Sequence, residues 1–381
     1  MPVLSCGGMR YQHAWKDIPA ADIPEENQRN LEATIRRAVD LGINHIETAR
    51  GYGTSEMQLG RILPAFPRDA ILVQTKVGPR ENGREFVEVV DRSLALLRLD
   101  YVDLLAIHGI NNASLLEQVL KPGGTLEAAL HLKRQGRCRW LGFSTHGSPD
   151  VIVKALETGM FDYVNLHWYW VNTINTPALL AAQRHEAGVF IISPSDKGGK
   201  LYEPSEKMRA LCQPLTPMQF NDLYCLARPD IHTLSVGAAR PEDFDEHVEA
   251  VRQLEENLPA ALAAGRRLEE EMERVLSSDW CRHWADGLPT WENIPGQVNL
   301  HEIVRLWNYA KSLDLVAFAR MRYNLLGQGD HWFPGRNAAG FDPSAIRDAL
   351  GGYRFAERIP DILREAHAWF LEQPKQRLSN D

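Results

Sequence analysis

An alternation of two sequence patterns, between residue 30 and about residue 255, constrains the fold of this chain most strongly. Short apolar runs rich in β-branched and aromatic residues are each followed by a stretch in which apolar residues recur at helical spacing, as Leu31 and Ile35 do. Counting residues 3–7 as the first, the pattern predicts eight strands: Val3–Gly7, His45–Ala49, Ile71–Val77, Val102–Gly109, Arg139–Thr145, Tyr163–Trp170, Val189–Ser195 and His232–Ala238.

These strands are nearly continuous apolar runs, which is typical of parallel sheets that are buried on both faces. Strands that alternate with helices form right-handed crossovers, which leaves either an open doubly wound sheet or a closed barrel. No G-x-G-x-x-G motif follows the first strand, and the count of eight over about 250 residues favours the barrel. We therefore predict an α/β fold, a (β/α)8 TIM barrel.

The alternation stops near residue 255, and the remaining chain has a different character. Amphipathic or charged helical stretches follow at Leu262–Val275, Leu300–Leu313 and Asp342–Phe370, separated by segments broken by glycine and proline. We predict two domains: residues 1–256 form the barrel and residues 257–381 form a helical C-terminal appendage.

Composition narrows the class of protein and its partners. The net charge is −8, which argues against a nucleic-acid partner, and no apolar run approaches the ~20 residues that span a bilayer. The five cysteines form no C-x-x-C pair and are odd in number. These features predict a cytoplasmic protein with no nucleic-acid or membrane partner.

Candidate catalytic side chains stand where three consecutive predicted strands end, which is where barrel active sites lie. Glu47 and Tyr52 follow the second strand, Lys76 ends the third, and His108 ends the fourth. As hydride reaches a carbonyl carbon, the oxygen becomes negative and needs a proton. A free tyrosine has a pKa near ~10, and a buried lysine cation lowers that value. Glu47 is then the counter-ion of the lysine, and a neutral His108 orients the carbonyl.

Several segments resemble the aldo/keto reductase family, in the family's order along the chain. They are "GINHIETARGYGTSEMQLGRIL", "VQTKV", "DYVDLLAIHGI", "GRCRWLGFSTH", "YVNLHWYW" and "ISPSDKGGKL". The resemblance implies reduction of an aldehyde or ketone to an alcohol, with Tyr52 as proton donor, Lys76 as the neighbour that lowers its pKa, and His108 as the group that orients the carbonyl. Glu47 occupies the position where the family usually has aspartate.

The same resemblance implies a nicotinamide dinucleotide, with NADP(H) favoured over NAD(H). Side chains after the fifth and sixth strands, Ser144 and Asn165, are expected to hold the nicotinamide carboxamide. The loop after the seventh strand resembles the pyrophosphate loop, and Arg240 after the eighth strand can pair with a 2′-phosphate. The expected cofactor-binding residues are Ser144, Asn165, Ser193, Ser195, Lys197, Gly237, Arg240 and Glu246.

The C-terminal region resembles a branch of the family that ends in a ferredoxin-like helical domain with a cysteine cluster. The segment from Ser277 to Lys311 is similar to the flanks of that domain, but only Cys281 remains of the cysteines. A cubane cluster needs about four thiolates. We therefore predict no metal and no iron–sulfur cluster, and expect a local core of aromatic residues: Trp284, Trp291, Trp307, Trp332 and Phe333.

Two other functions remain open at the level of sequence. The first is a non-catalytic barrel of the same family that binds a dinucleotide as a sensor or partner module. The second is a metal-dependent hydrolase that uses His108, His146 and His167, although no H-x-H pair stands at the first strand.

Overall fold

The computed structural model describes residues 1–252 and 254–373, and its contacts divide the chain into two units. Of the described residues, the first unit contains Met1–Gly198 and those of Asn221–Asn257, and the second contains Gly199–Phe220 and residues 258–373. The predicted boundary between residues 256 and 257 stays a prediction. Residues 374–381 of the predicted C-terminal domain lie outside the described residues.

The first unit contains a closed barrel of eight parallel strands that follow one another in chain order, so the predicted (β/α)8 fold is confirmed. Each predicted run overlaps one strand, and most strands are shorter than the runs. The fifth and seventh strands begin one residue before their runs, at Cys138 and Gly188. The sixth ends four residues early, where Tyr169 and Asn172 pair across a turn. The strands are β1 Leu4–Gly7, β2 His45–Glu47, β3 Leu72–Val77, β4 Val102–His108, β5 Cys138–Ser144, β6 Tyr163–Leu166, β7 Gly188–Ile192 and β8 Thr233–Gly237.

The helix Glu206–Cys212 belongs to the second unit, and the other helices up to residue 252 lie wholly or mainly in the first, where they cover the outside of the barrel or follow its strand ends. Two of them begin at asparagines whose side chains accept a backbone N–H: Asn82 from Glu85 and Asn112 from Leu115. The helices are α1 Glu25–Asp40, α2 Ser55–Ile62, α3 Gly83–Leu97, α4 Ala113–Leu120, α5 Thr125–Arg134, α6 Pro149–Glu157, α7 Thr176–Arg184, α8 Pro194–Lys197, α9 Glu206–Cys212, α10 Pro217–Leu226 and α11 Asp245–Arg252.

The interior of the barrel is partly apolar and partly polar. Leu104, Ala106, Tyr163 and Phe190 form a buried apolar cluster, in which the rings of Tyr163 and Phe190 stack with centroids 4.9 Å apart. Polar side chains are buried in the barrel as well, so they must form their hydrogen bonds there. Gln74 and Asn165 are two of them, and Asn165 is hydrogen-bonded to the candidate catalytic residue Glu47.

The second unit is helical, as predicted for the C-terminal region. Its largest buried side chain, Trp280, donates its Nε1–H to Asn308 at 2.8 Å and carries the Arg358 guanidinium over its ring. Of the aromatic residues expected to form its core, Trp307 and Trp332 are buried and the other three are half-buried. The helices that follow residue 252 are α12 Leu254–Leu276, α13 Ser278–His283, α14 Leu300–Leu313, α15 Val316–Tyr323, α16 Pro343–Ala349 and α17 Ile359–Phe370.

Two further findings concern the whole of the described chain. Among its described helices, none combines the length and the apolar character that a membrane span requires. All five cysteines are free thiols, and Cys281 is the only one of them that is not buried. Single 3₁₀ turns complete the secondary structure, at Ala20–Asp22, Leu63–Ala65, Arg68–Ala70, Pro241–Phe244, Trp291–Asn293, Pro295–Gln297, Asp330–Trp332 and Ala356–Arg358.

Candidate active site

The four predicted catalytic residues come together at the ends of β2, β3 and β4. Glu47 is the last residue of β2, Lys76 is the fifth residue of β3, and His108 is the last residue of β4. Beyond β2, the Arg50 N–H still donates to the Lys76 carbonyl at 2.8 Å. The turn that carries Tyr52 is therefore held against β3, which brings its ring to the lysine.

Lys76 and Glu47 form a buried ion pair, with 2.6 Å between Nζ and Oε1. The two residues are 1% and 3% exposed, and the ammonium also donates to the Thr48 carbonyl at 3.1 Å. Burial by itself opposes ionisation of Glu47, but the Lys76 ammonium outweighs it, and the pKa of this carboxyl is lowered. The side chain has both the length and the position to serve as the counter-ion that the sequence predicted.

Tyr52 is 6% exposed and lies between a cation and two aromatic rings. The Lys76 ammonium is 5.1 Å from the centroid of the Tyr52 ring. The His108 imidazole meets this ring edge to face with centroids 5.8 Å apart, and the Trp15 indole meets it with centroids 6.3 Å apart. The Tyr52 ring is thus in contact with the ammonium and with the imidazole.

Trp15 is a site residue that the sequence reasoning missed. It is placed by Gly53, whose φ of +53° suits glycine, and where a β carbon would lie 2.1 Å from the Ala14 carbonyl oxygen. Thr54 fastens the same contact, since its N–H donates to Ala14 at 3.0 Å. The only signal in the sequence was the glycine after Tyr52, which permits another backbone to approach closely.

Arg50, in the turn before Tyr52, forms ion pairs with two carboxylates. Its side chain is 12% exposed and is paired with Asp17 and, at 2.5 Å, with the buried Glu56. Thr75 also donates to Glu56, at 2.6 Å. Two carboxylates therefore already neutralise this guanidinium.

Asn165 lies in the barrel interior, and both ends of its amide are engaged. Its Oδ1 accepts from Gln74 at 2.8 Å, and its Nδ2 donates to Glu47 at 3.5 Å. Gln74 continues the chain to His45 at 3.0 Å. Burial lowers the pKa of His45 to about 4, so its imidazole is neutral near pH 7. Asn165, the amide expected to hold the nicotinamide carboxamide, therefore lies next to Glu47. Ser144, at the end of β5, accepts from the Gly109 N–H at 3.2 Å.

The expected pyrophosphate loop follows β7 and turns sharply into α8. Ser193 has φ and ψ of 54° and 45°, which is the left-handed region, and places Ser195 and Lys197 on the short helix. The Lys197 ammonium lies 3.4 Å from His146 Nε2 and 3.3 Å from His167 Nε2. His146 follows β5 and His167 follows β6, so the Lys197 ammonium lies at the ends of these two strands.

The histidines of the metal-hydrolase alternative are divided between two clusters. His108 contacts Tyr52, whereas His146 and His167 contact Lys197. Over residues 1–252 and 254–373, no three His, Cys, Asp or Glu side chains are arranged so that they could hold a metal ion.

Three expected cofactor residues follow or end β8. Gly237 ends the strand, and a β carbon there would lie 3.2 Å from the Arg10 side chain. Arg240 is 71% exposed and pairs with Asp243 at 3.1 Å, an ion pair that contributes little because water screens it. Glu246 is half-buried at the start of α11. Its neighbour His247 contacts Ser195, which joins the loops after β7 and β8.

A closed parallel barrel with a buried Tyr–Lys–His–carboxylate cluster at its strand ends agrees with one protein family. Residues 3–258 match the model of the aldo/keto reductase family, and the chain belongs to this family. It is therefore an oxidoreductase.

Individual relatives show how far the similarity extends. The chain is 29% identical to L-galactose dehydrogenase of Arabidopsis thaliana over 67% of its own length and 87% of the relative's. It is 24% identical to L-glyceraldehyde 3-phosphate reductase of Escherichia coli O157:H7, over 60% and 80%. The solved structure of an aldo-keto reductase from Klebsiella pneumoniae in complex with NADPH has a TM-score of 0.53 and 20% identity, over 72% of this chain and 91% of that one. At this identity, that likeness shows the fold alone.

Proposed function

We propose that this protein reduces a small aldehyde or ketone to the alcohol, using a nicotinamide dinucleotide, with Tyr52 as the proton donor. The observation that carries the proposal is the buried cluster of Tyr52, Lys76 and His108, in which the Lys76 ammonium lies 5.1 Å from the centroid of the Tyr52 ring and is neutralised by Glu47. The two relatives that were compared by sequence are named as a dehydrogenase and a reductase. The non-catalytic alternative has no observation of its own in its favour.

The residues after β7 and β8 suit a dinucleotide because of their chemistry. Ser193 and Ser195 supply hydroxyls, Lys197 supplies a cation, and Gly237 presents no side chain of its own at the end of β8. Arg240 is exposed and only weakly held by Asp243, so a 2′-phosphate can take over its guanidinium. This last contact favours NADP(H) over NAD(H). When bound, the dinucleotide supplies the hydride.

The protein's own residues then manage the proton. Charge that develops on the carbonyl oxygen is stabilised by the Tyr52 hydroxyl and the His108 imidazole, whose rings are in contact. The Lys76 ammonium stabilises the phenolate that Tyr52 leaves behind when it gives up its proton. Glu47 keeps that ammonium charged and in place. The low exposure of all four groups strengthens these interactions by excluding water.

Replacing Tyr52 by phenylalanine tests the proposal. We expect carbonyl reduction to fall by roughly 10²–10⁴-fold, the usual contribution of a positioned acid, while the dissociation constant for NADPH stays unchanged. The matched control is Tyr163→Phe, which removes another buried hydroxyl, one with no hydrogen-bond partner among the described residues. Its activity should equal that of the wild type.

The substrate panel follows from the relatives. Aliphatic and aromatic aldehydes and ketones are tested with NADPH and NADH, L-glyceraldehyde 3-phosphate among them, and L-galactose is tested with the oxidised dinucleotides. A wild-type protein that binds NADPH and turns over no member of this panel would favour the sensor or partner module instead. If Tyr52→Phe is as active as Tyr163→Phe, the proposed proton donor is wrong.

A further inference from the structure

A second cluster of three polar side chains does not include any of the candidate catalytic residues. It lies where the chain segments that follow β7 and β8 meet. Asp222 of α10 and His247 of α11 are buried and are joined by a contact of 2.5 Å between Oδ2 and Nδ1. The other imidazole nitrogen of His247, Nε2, lies 3.4 Å from the hydroxyl oxygen of Ser195 on α8. Three separate helices thus bring a carboxylate, an imidazole and a hydroxyl into one line.

The Asp222 contact fixes which nitrogen of His247 always carries a proton. A carboxylate accepts, so Nδ1 must donate to it. The proton on Nε2 is then the only variable, and it decides the direction of the contact with Ser195. When Nε2 is bare, it accepts the Ser195 O–H. When Nε2 is protonated, it donates to the Ser195 oxygen, and the hydroxyl proton is released to point elsewhere.

The surroundings of His247 favour the protonated form. Burial by itself lowers the pKa of His247, but the Asp222 carboxylate and its hydrogen bond outweigh burial, and the pKa is raised. Glu246 and Asp243 add to this effect from α11 and the turn before it. The second carboxylate oxygen of Asp222 has no hydrogen-bond partner among the described residues, so the imidazolium is its main compensation.

Ser195 belongs to the segment after β7 that is expected to bind the phosphates of the dinucleotide, together with Ser193 and Lys197. Ser195 is two residues from the left-handed turn at Ser193 and two residues from Lys197. A hydroxyl whose oxygen already accepts from an imidazolium is a stronger donor, and a phosphate oxygen is a charged acceptor.

We propose that Asp222 and His247 are positioning residues that turn the Ser195 hydroxyl into a hydrogen-bond donor to the pyrophosphate of the dinucleotide. Neither residue touches the reacting carbonyl; both act through Ser195. The inference rests on the proposed function, because it requires a bound dinucleotide. Its consequence is that the contribution of Ser195 to affinity is present below the pKa of His247 and is lost as the pH rises through it.

The experiment measures dissociation constants for NADH by fluorescence at intervals from pH 6.5 to pH 9. NADH is chosen because its pyrophosphate stays fully ionised over this range and it has no 2′-phosphate to titrate. The quantity of interest is the ratio of the constants for Ser195→Ala and for the unmodified protein. His146 and His167 lie on the same side of the barrel and influence both constants, so their effects cancel in this ratio.

We expect a ratio of about ten at the low end of the range, the effect of one hydrogen bond to a charged group, and a fall toward one at higher pH. In an Asp222→Asn background, the fall should move to lower pH, because the imidazolium loses its counter-ion. The control Ser93→Ala removes a buried hydroxyl on α3 and should give a ratio of one throughout.

Three outcomes overturn the inference while leaving the proposed function intact. The first is a Ser195→Ala variant that binds NADH as tightly as the wild type. The second is a ratio that has the same pH dependence with and without the Asp222 carboxylate. The third is covalent labelling of Ser195 by a fluorophosphonate, which would make the cluster a nucleophilic site. A wild-type protein that binds neither NADH nor NADPH would instead contradict the proposed function itself.

Discussion

Replacement of Glu47 by glutamine perturbs the buried ion pair on which the candidate site depends. The substitution keeps the size of the side chain and removes its charge. Lys76 is 1% exposed, so its ammonium would be left in the barrel with the Thr48 carbonyl and no counter-ion. We expect the folded protein to lose stability and the loss to depend on pH.

The magnitude follows from two limits. Breaking a buried ion pair by removing one partner typically costs about 3–5 kcal/mol. The folded variant can avoid the unpaired charge by burying a neutral amine. Taking the proton from an ordinary lysine at pH 7 costs about 4.6 kcal/mol, which is 1.36 kcal/mol for each of about 3.4 pH units. At pH 9 the same step costs about 2 kcal/mol, so the destabilisation should shrink as the pH rises.

The assay is urea unfolding at pH 7 and pH 9, followed by far-ultraviolet circular dichroism. Glu25→Gln is the matched control, because it removes the same charge from an exposed pair with Arg29, whose atoms are 3.8 Å apart. A double variant, Glu47→Gln with Lys76→Met, removes both charges and should recover much of the lost stability. The reasoning is refuted if Glu47→Gln behaves like Glu25→Gln, or if its destabilisation is equal at the two pH values.

Three further predictions concern other buried positions. Burial lowers the pKa of His45 from 6.5 to about 4, so between these pH values the unfolded chain binds a proton that the folded barrel does not. The free energy of unfolding should therefore be unaffected by this group above pH 6.5 and should fall between pH 6.5 and pH 4. His45→Gln should remove about 3 kcal/mol of that decrease, measured by acid unfolding. Gly60→Ala places a β carbon 2.0 Å from the Leu96 carbonyl oxygen and should cost about 1–3 kcal/mol, measured by urea unfolding. Trp280→Phe leaves Asn308 without its donor and should destabilise the helical unit by about 2–3 kcal/mol, measured by near-ultraviolet circular dichroism during unfolding.

Gly60→Ala has a matched control in the chain. Gly265→Ala also changes a glycine inside a helix, but its nearest neighbour is a ring carbon of Phe220 at 3.8 Å, so stability should be unchanged or slightly higher. Equal effects at Gly60 and Gly265 would contradict the packing argument. An acid unfolding curve of His45→Gln parallel to that of the wild type would contradict the prediction for His45. Unfolding of Trp280→Phe at the wild-type urea concentration would contradict the prediction for Trp280.

The sequence was sufficient for the architecture because burial on both faces of a parallel sheet leaves a continuous apolar signal. All eight predicted runs overlap a strand, although the fifth and seventh strands begin one residue early and the sixth run extends four residues past the end of its strand. That run continues through Trp168, Tyr169 and Trp170, which are buried outside the strand, and an apolar run does not distinguish the two kinds of burial. The helix Leu300–Leu313 was predicted with the bounds it has.

The sequence also determined which side chains come together at the barrel mouth, since Glu47, Lys76 and His108 stand at the ends of adjacent strands, and strand order in a closed barrel follows chain order. It did not determine the surroundings of those side chains. Trp15 beside Tyr52, the carboxylates on Arg50, and the contact of Asp222 with His247 all join residues from different loops and helices. Such contacts leave no periodic pattern, because they depend on how segments distant in the chain pack around the barrel. Only the tertiary structure decides them.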